Sequence, residues 1–93
     1  MMKEPPDQLD GAKVLYWAWS GDDPFFVMPY SDGSGGIPIY GLAVCQYKSG
    51  AIYRFSCSYE WEVENDSDRE TIEDAMSGAS GQHDIATVEW QKR

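Results

Sequence analysis

Few residues in this chain of 93 could do chemistry, and their spacing decides what each can do. The one histidine, His83, follows Gly78-Ala79-Ser80-Gly81 in a polar stretch. A general base needs an orienting partner and a pocket. Asp84 is adjacent in sequence, which does not orient an imidazole, so His83 reads as a solvated loop residue. A nucleophilic cysteine needs a cationic neighbour or a helix N-terminus to lower its pKa. Cys45 falls beside Arg54 across an expected hairpin, and Cys57 reads as buried. Both fit packing better than catalysis. Zinc would need spaced Cys and His ligands that the chain lacks. Asp66-x-Asp68-x-Glu70 looks like the opening of a calcium loop but lacks its glycine and its later bidentate Glu. The Ser31–Gly36 stretch has glycines but no Lys-Ser/Thr ending, so it is no P-loop. It reads as a turn that could carry a partner contact. The expectation is therefore no enzyme, with no catalytic residue, no metal and no cofactor.

The carboxylates carry more information. Sixteen Asp and Glu oppose seven Lys and Arg, for a formal charge of −9. Eight acids and one arginine lie between Glu60 and Asp74, so that stretch alone carries −7. Phosphate backbones are bound by clustered Lys and Arg, so direct nucleic-acid binding is disfavoured. The stripe either steers a basic partner onto the surface or keeps an aromatic-rich domain soluble. Four Trp and six Tyr supply possible anchors, and Trp17 or Trp19, from a strand apolar on both sides, is the expected exposed one.

The elements that must position these groups follow from periodicity. Residues 1–12, with Pro5-Pro6, read as a flexible N-terminal tail, and 13–93 as a single domain. Val14–Trp19 is a first strand and Phe25–Met28 a second, with Pro38 at an edge or strand start. Tyr40–Tyr47 and Ile52–Val63 form a hairpin. In the outgoing strand Tyr53, Phe55, Cys57, Tyr59, Trp61 and Val63 share one face, and Arg54, Ser56, Ser58, Glu60, Glu62 and Glu64 the other. A two-residue turn at Ser49-Gly50 would pair Val44 with Phe55 and Leu42 with Cys57. It would put Cys45 and Cys57 on opposite faces, with no disulfide, whereas a three-residue turn would change the parity and weaken that expectation. Ser67 and Glu70 match a capping box for a helix whose Ile72, Ala75, Met76 and Ala79 face the aromatic side, ending near Ser80. Ile85–Trp90 is the closing strand. The expected fold is α+β, an antiparallel sheet of four to five strands with one helix on one face, in the order β-β-β-β-α-β.

Leu42–Tyr47, Tyr53–Cys57, Trp61, Asp66-Ser67, Glu73-Asp74-Ala75 and Val88-Glu89-Trp90 together resemble short stand-alone bacterial proteins of unknown function. The resemblance covers roughly residues 40–90 and implies the element order but no activity. In size and acidity the chain is also similar to immunity proteins that neutralise toxins and to phage-encoded inhibitors such as anti-CRISPR proteins.

The sequence therefore implies a non-enzymatic acidic module that docks on a basic protein, in the manner of an inhibitor or immunity protein. Glu60, Glu62, Glu64, Asp66 and Asp68 would supply charge, with Trp17 or Trp19 as anchor. The alternative is a structural or housekeeping domain, homodimeric through a sheet edge or aromatic patch. Two cysteines and no readable signal peptide point to the cytoplasm. No run is apolar enough for a membrane span.

Overall fold

A computed structural model describes residues 3–30, 32–76 and 88–93. The chain is mostly antiparallel sheet with one short helix. The main sheet is a curled half-barrel of six strands. Its path runs β1 (Gln8–Leu9), β2 (Ala12–Trp19), β5 (Gly41–Gln46), β6 (Ile52–Cys57) and β7 (Val63–Arg69), while β8 (Gln91–Lys92) pairs β2 beyond β1. β3 (Phe26–Pro29) and β4 (Gly36–Ile39) form a separate two-stranded hairpin. Helix α1 (Ile72–Met76) falls between β7 and β8. The α+β class holds, but the number and order of strands differ from the expected β-β-β-β-α-β.

The sheet buries both faces at its centre. One face packs Val14, Trp17, Ala43, Cys45, Phe55, Cys57 and Trp61 into a core that also takes Leu9 and Ala12. The other packs Ile39 and Leu42 against Phe25, Phe26, Met28, Val88 and Trp90. A bulge between Val14 and Tyr16 shifts the alternation of β2, so Val14 and Trp17 reach the same side. That is why the strand looked apolar on both sides. Leu9 and Ala12 belong to this core and β1 lies within residues 1–12, so that stretch contributes strand and packing.

Two turns set the register of β6 and the place where it ends. The β5–β6 turn has three residues rather than two. The Tyr47 amide donates to the Ala51 carbonyl at 3.0 Å, and Gly50 takes φ +96°, a conformation suited to glycine. The register therefore pairs Val44 with Arg54 and Leu42 with Ser56. Cys45 and Cys57 share the core face, both as free thiols. Cys45 lies opposite Tyr53, four residues before Cys57, which separates the two by about 13 Å along the strand. A disulfide needs Cα atoms within about 7 Å, so distance separates the sulfurs, not the sheet.

The second turn cuts the expected long strand at Ser58. The Ser58 hydroxyl accepts from the amides of Glu60 and Glu62 at 3.2 and 3.3 Å. The Ser58 amide donates to the Glu62 carbonyl, and Trp61 takes φ +60°. The residues after it return as β7, antiparallel to β6. Glu60, Glu62 and Glu64 thus do not form a ladder on one strand.

β7 also consumes the residues expected to cap the helix. Ser67 lies opposite Arg54, and Thr71 caps α1 instead, its hydroxyl accepting from the Asp74 amide at 3.0 Å. The helix sits on the even-numbered face of β6, not on the aromatic one. The buried Arg54 guanidinium donates to the Ala75 carbonyl at 3.2 Å. It so satisfies a C-terminal carbonyl that a five-residue helix leaves unpaired. The expected helix end with Ala79 and Ser80, residues 85–87 of the expected closing strand, and His83 with Asp84 lie outside the described residues, while Val88, Glu89 and Trp90 are not strand and the closing strand is Gln91–Lys92 instead.

Candidate functional site

β7 has a poor strand sequence, Val-Glu-Asn-Asp-Ser-Asp-Arg. It becomes a strand because the Ser58 turn delivers it against β6, at the edge of the sheet. Carboxylates on an edge strand also discourage pairing with other chains. The register shifts between Ser56 and Cys57, which leaves Glu64 as an extra residue between Val63 and Asn65. Such a bulge re-aims the side chains around it. Asp66 and Asp68 lie opposite Phe55 and Tyr53, so they extend the aromatic face of β6 into solvent.

The curl brings the β1–β2 turn toward this edge. Asp10 of that turn and Val63, Glu64, Asn65 and Asp66 of β7 line a groove of about 280 Å³. Asp10 takes φ +52°, and its carbonyl accepts from the Tyr47 hydroxyl at 3.1 Å. Desolvation, then the charges of Asp10, Tyr53 and Asp66, hold the Tyr47 hydroxyl above its ordinary pKa. The groove is therefore lined by three acidic residues from two parts of the chain. Asp10 was not foreseen, because only the closing curl makes it a neighbour of Asp66.

The Ser58 turn joins this edge to an aromatic end. Trp19 lies 5.3 Å from Tyr59 and 5.8 Å from Tyr40, and Tyr40 lies 5.1 Å from Tyr59, all centroid to centroid. Trp61 lies beneath, 5.6 Å from Trp19 and 6.4 Å from Trp17. Gly41 makes room for it. A Cβ there would stand 2.6 Å from the Trp61 ring. Residues 3–7 cross this end, with the Trp61 indole donating to the Lys3 carbonyl at 3.0 Å.

Of the residues expected to bind a partner, Glu64, Asp66 and Asp68 lie on β7, with Glu64 and Asp66 lining the groove. Glu60 and Glu62 are exposed in the turn that joins groove and aromatic end. Trp19 is half-buried among the rings. Trp17 is no anchor. It is 5% exposed and packs edge-on against Trp61. Tyr59, 52% exposed, is the most accessible ring of the end. Its place in the alternation 53–63 had marked it as core.

A thiol-based site is not assembled. Arg54 and Cys45 lie on opposite faces of the sheet. Burial pushes both thiols up to about 12, the reverse of an activated nucleophile. No cluster of metal-ligating side chains occurs among the described residues. Nor is any helix there long and apolar enough to cross a membrane. No family model, curated protein or solved structure matches this chain.

Proposed function

We propose that this protein is a non-enzymatic binding module that docks a basic protein along its acidic edge, as an inhibitor or immunity protein would. The observation that carries the reading is the groove. Asp10, Glu64 and Asp66 line it from separate elements beside Val63. A merely soluble surface has no need of a groove lined by acids from two elements. Like charges held together are unfavourable alone and favour a cationic guest. The five expected acids Glu60, Glu62, Glu64, Asp66 and Asp68 frame the docking surface, with Tyr59 and Trp19 at its end.

Octalysine is a suitable probe, its affinity measured by calorimetry at about 50 and 200 mM salt. The wild type should bind with a steep salt dependence. The Glu64→Lys/Asp66→Lys/Asp68→Lys variant should lose most of both affinity and slope. Equal binding by the variant would overturn the reading.

A second reading has its own observation. The β3–β4 hairpin packs one side on the main sheet and exposes Val27 and Tyr30, a surface suited to self-association. A dimer in sedimentation that is insensitive to salt and lost in Val27→Asp would favour it.

A further inference from the structure

We propose that Trp19, Tyr40 and Tyr59, with the Tyr59 carbonyl and Glu60, form a binding site for the ammonium group of a partner's lysine, and that Lys3 is its built-in occupant. The three rings lie within 5.1–5.8 Å of one another and form one aromatic cluster. The Lys3 ammonium lies 4.4 Å from the Tyr59 ring centroid and 5.9 Å from that of Trp19. Both distances fall within the range in which aromatic faces attract cations. It donates to the Tyr59 carbonyl at 2.7 Å and stands 3.8 Å from the Glu60 carboxylate. Ring faces, a backbone acceptor and a carboxylate are the complete set of groups that select an alkylammonium over an apolar side chain.

The site is open and its occupant is exchangeable. The Lys3 side chain is 40% exposed and that of Glu60 71%, and contacts this exposed are individually weak. The Lys3 backbone is held separately, through its carbonyl and the Trp61 indole. The segment is also tied down through Glu4 and Asp7, both paired with Arg93. The ammonium can therefore leave by side-chain rotation while the backbone stays in place. A lysine arriving on a partner would find the rings, the carbonyl and the carboxylate already in place and would compete only with an internal copy of itself. Such competition lowers apparent affinity by the fraction of time the site is filled. This inference rests on the proposed docking of a basic protein and specifies one contact in it.

The test is a titration of the full chain with N-acetyl-lysine methylamide, followed through the indole N–H signals by NMR. Lys3→Ala should bind more tightly than the wild type, by the reciprocal of the fraction of time that the site stands free of Lys3. The Trp19 signal should shift most. Lys3→Ala/Tyr59→Ala should lose that binding, because the exposed ring is removed while the backbone carbonyl remains. The uncharged N-acetyl-norleucine methylamide should not bind Lys3→Ala. Equal affinities for wild type and Lys3→Ala, or binding that survives loss of Tyr59, would overturn the assignment and leave Lys3 as a structural latch. Glu64→Lys/Asp66→Lys/Asp68→Lys, which spares the lysine site, separates the two readings. Lysine-amide binding without edge-dependent octalysine binding overturns only the docking surface. The converse overturns only the lysine site.

Discussion

Phe55 and Asp66 sit directly opposite each other on neighbouring strands and on the same face of the sheet. One is fully buried and the other exposed. What separates them is position across the sheet. Among the described residues β6 is flanked on both sides and β7 on one only, so the same face is dry in the middle and wet at the rim. The aromatic core and the acidic edge are thus two outcomes of one surface. The molecule can keep a dense charge beside its core because that charge stands one strand further out.

The sharpest way to break this contrast is to alter both members of the pair. Phe55→Ala should destabilise by about 3–5 kcal/mol, whereas Asp66→Asn should change stability by no more than about 0.5 kcal/mol. Urea titrations at neutral pH compare them directly. Similar losses at both sites would mean that β7 belongs to the core. Next in size is Gly41→Ala. The added methyl would collide with Trp61, and overpacking of this kind costs about 1–3 kcal/mol. Near-UV circular dichroism should show the tryptophan cluster displaced. An unchanged spectrum and stability would contradict the packing of Trp61 on Gly41.

The thiols sharpen the contrast through pH. Cys45 and Cys57 are pushed from an ordinary 9.0 up to about 12 by burial. Above about pH 9 the unfolded chain gives up these protons while the folded chain keeps them. Stability is therefore full below pH 9 and declines as pH rises toward 12. The urea midpoint should fall over that window, and less so in Cys45→Ala/Cys57→Ala. Iodoacetamide at pH 8 should leave both thiols unmodified in the folded protein and label both in urea. Rapid labelling without denaturant would contradict their burial. The smallest effect is at the edge. Asp66→Asn/Asp68→Asn should stabilise by a few tenths of a kcal/mol, by relieving repulsion between exposed neighbours. A clear loss of stability would mean that these acids have partners within the fold.

The central strands were legible because burial on one face writes a period of two into sequence. Phe55, Cys57 and the strand around Trp17 were found in this way. The edge was not, for local reasons. Ser58-Tyr59-Glu60-Trp61-Glu62 continues the alternation without Gly, Pro or Asn. Its turn depends on one serine hydroxyl and on a tryptophan with positive φ. Ser58 was the only available signal, and a serine in an alternating run marks a solvent face just as well. The misplaced helix cap had the same origin, since Ser67-x-x-Glu70 has the right spacing and Thr71 stands too close to it to be told apart. Asp10, Lys3 and Tyr40 entered the candidate site through the curl of the sheet, which brings together residues far apart in sequence. The acidity of the 60–74 stretch was plain from composition. Its division between a turn, a bulged edge strand and a helix was not.

The most direct test of the docking account is a map of where a basic ligand touches the protein. Backbone amide signals should be followed by NMR as octalysine is added to the wild type. The account predicts shifts concentrated at Asp10, in the Ser58–Glu62 turn and along Val63–Asp68, with Asp22, Asp23 and Glu73 little affected although they too are exposed carboxylates. Shifts spread evenly over all exposed acids would contradict it and reduce the acidic edge to a solvated rim.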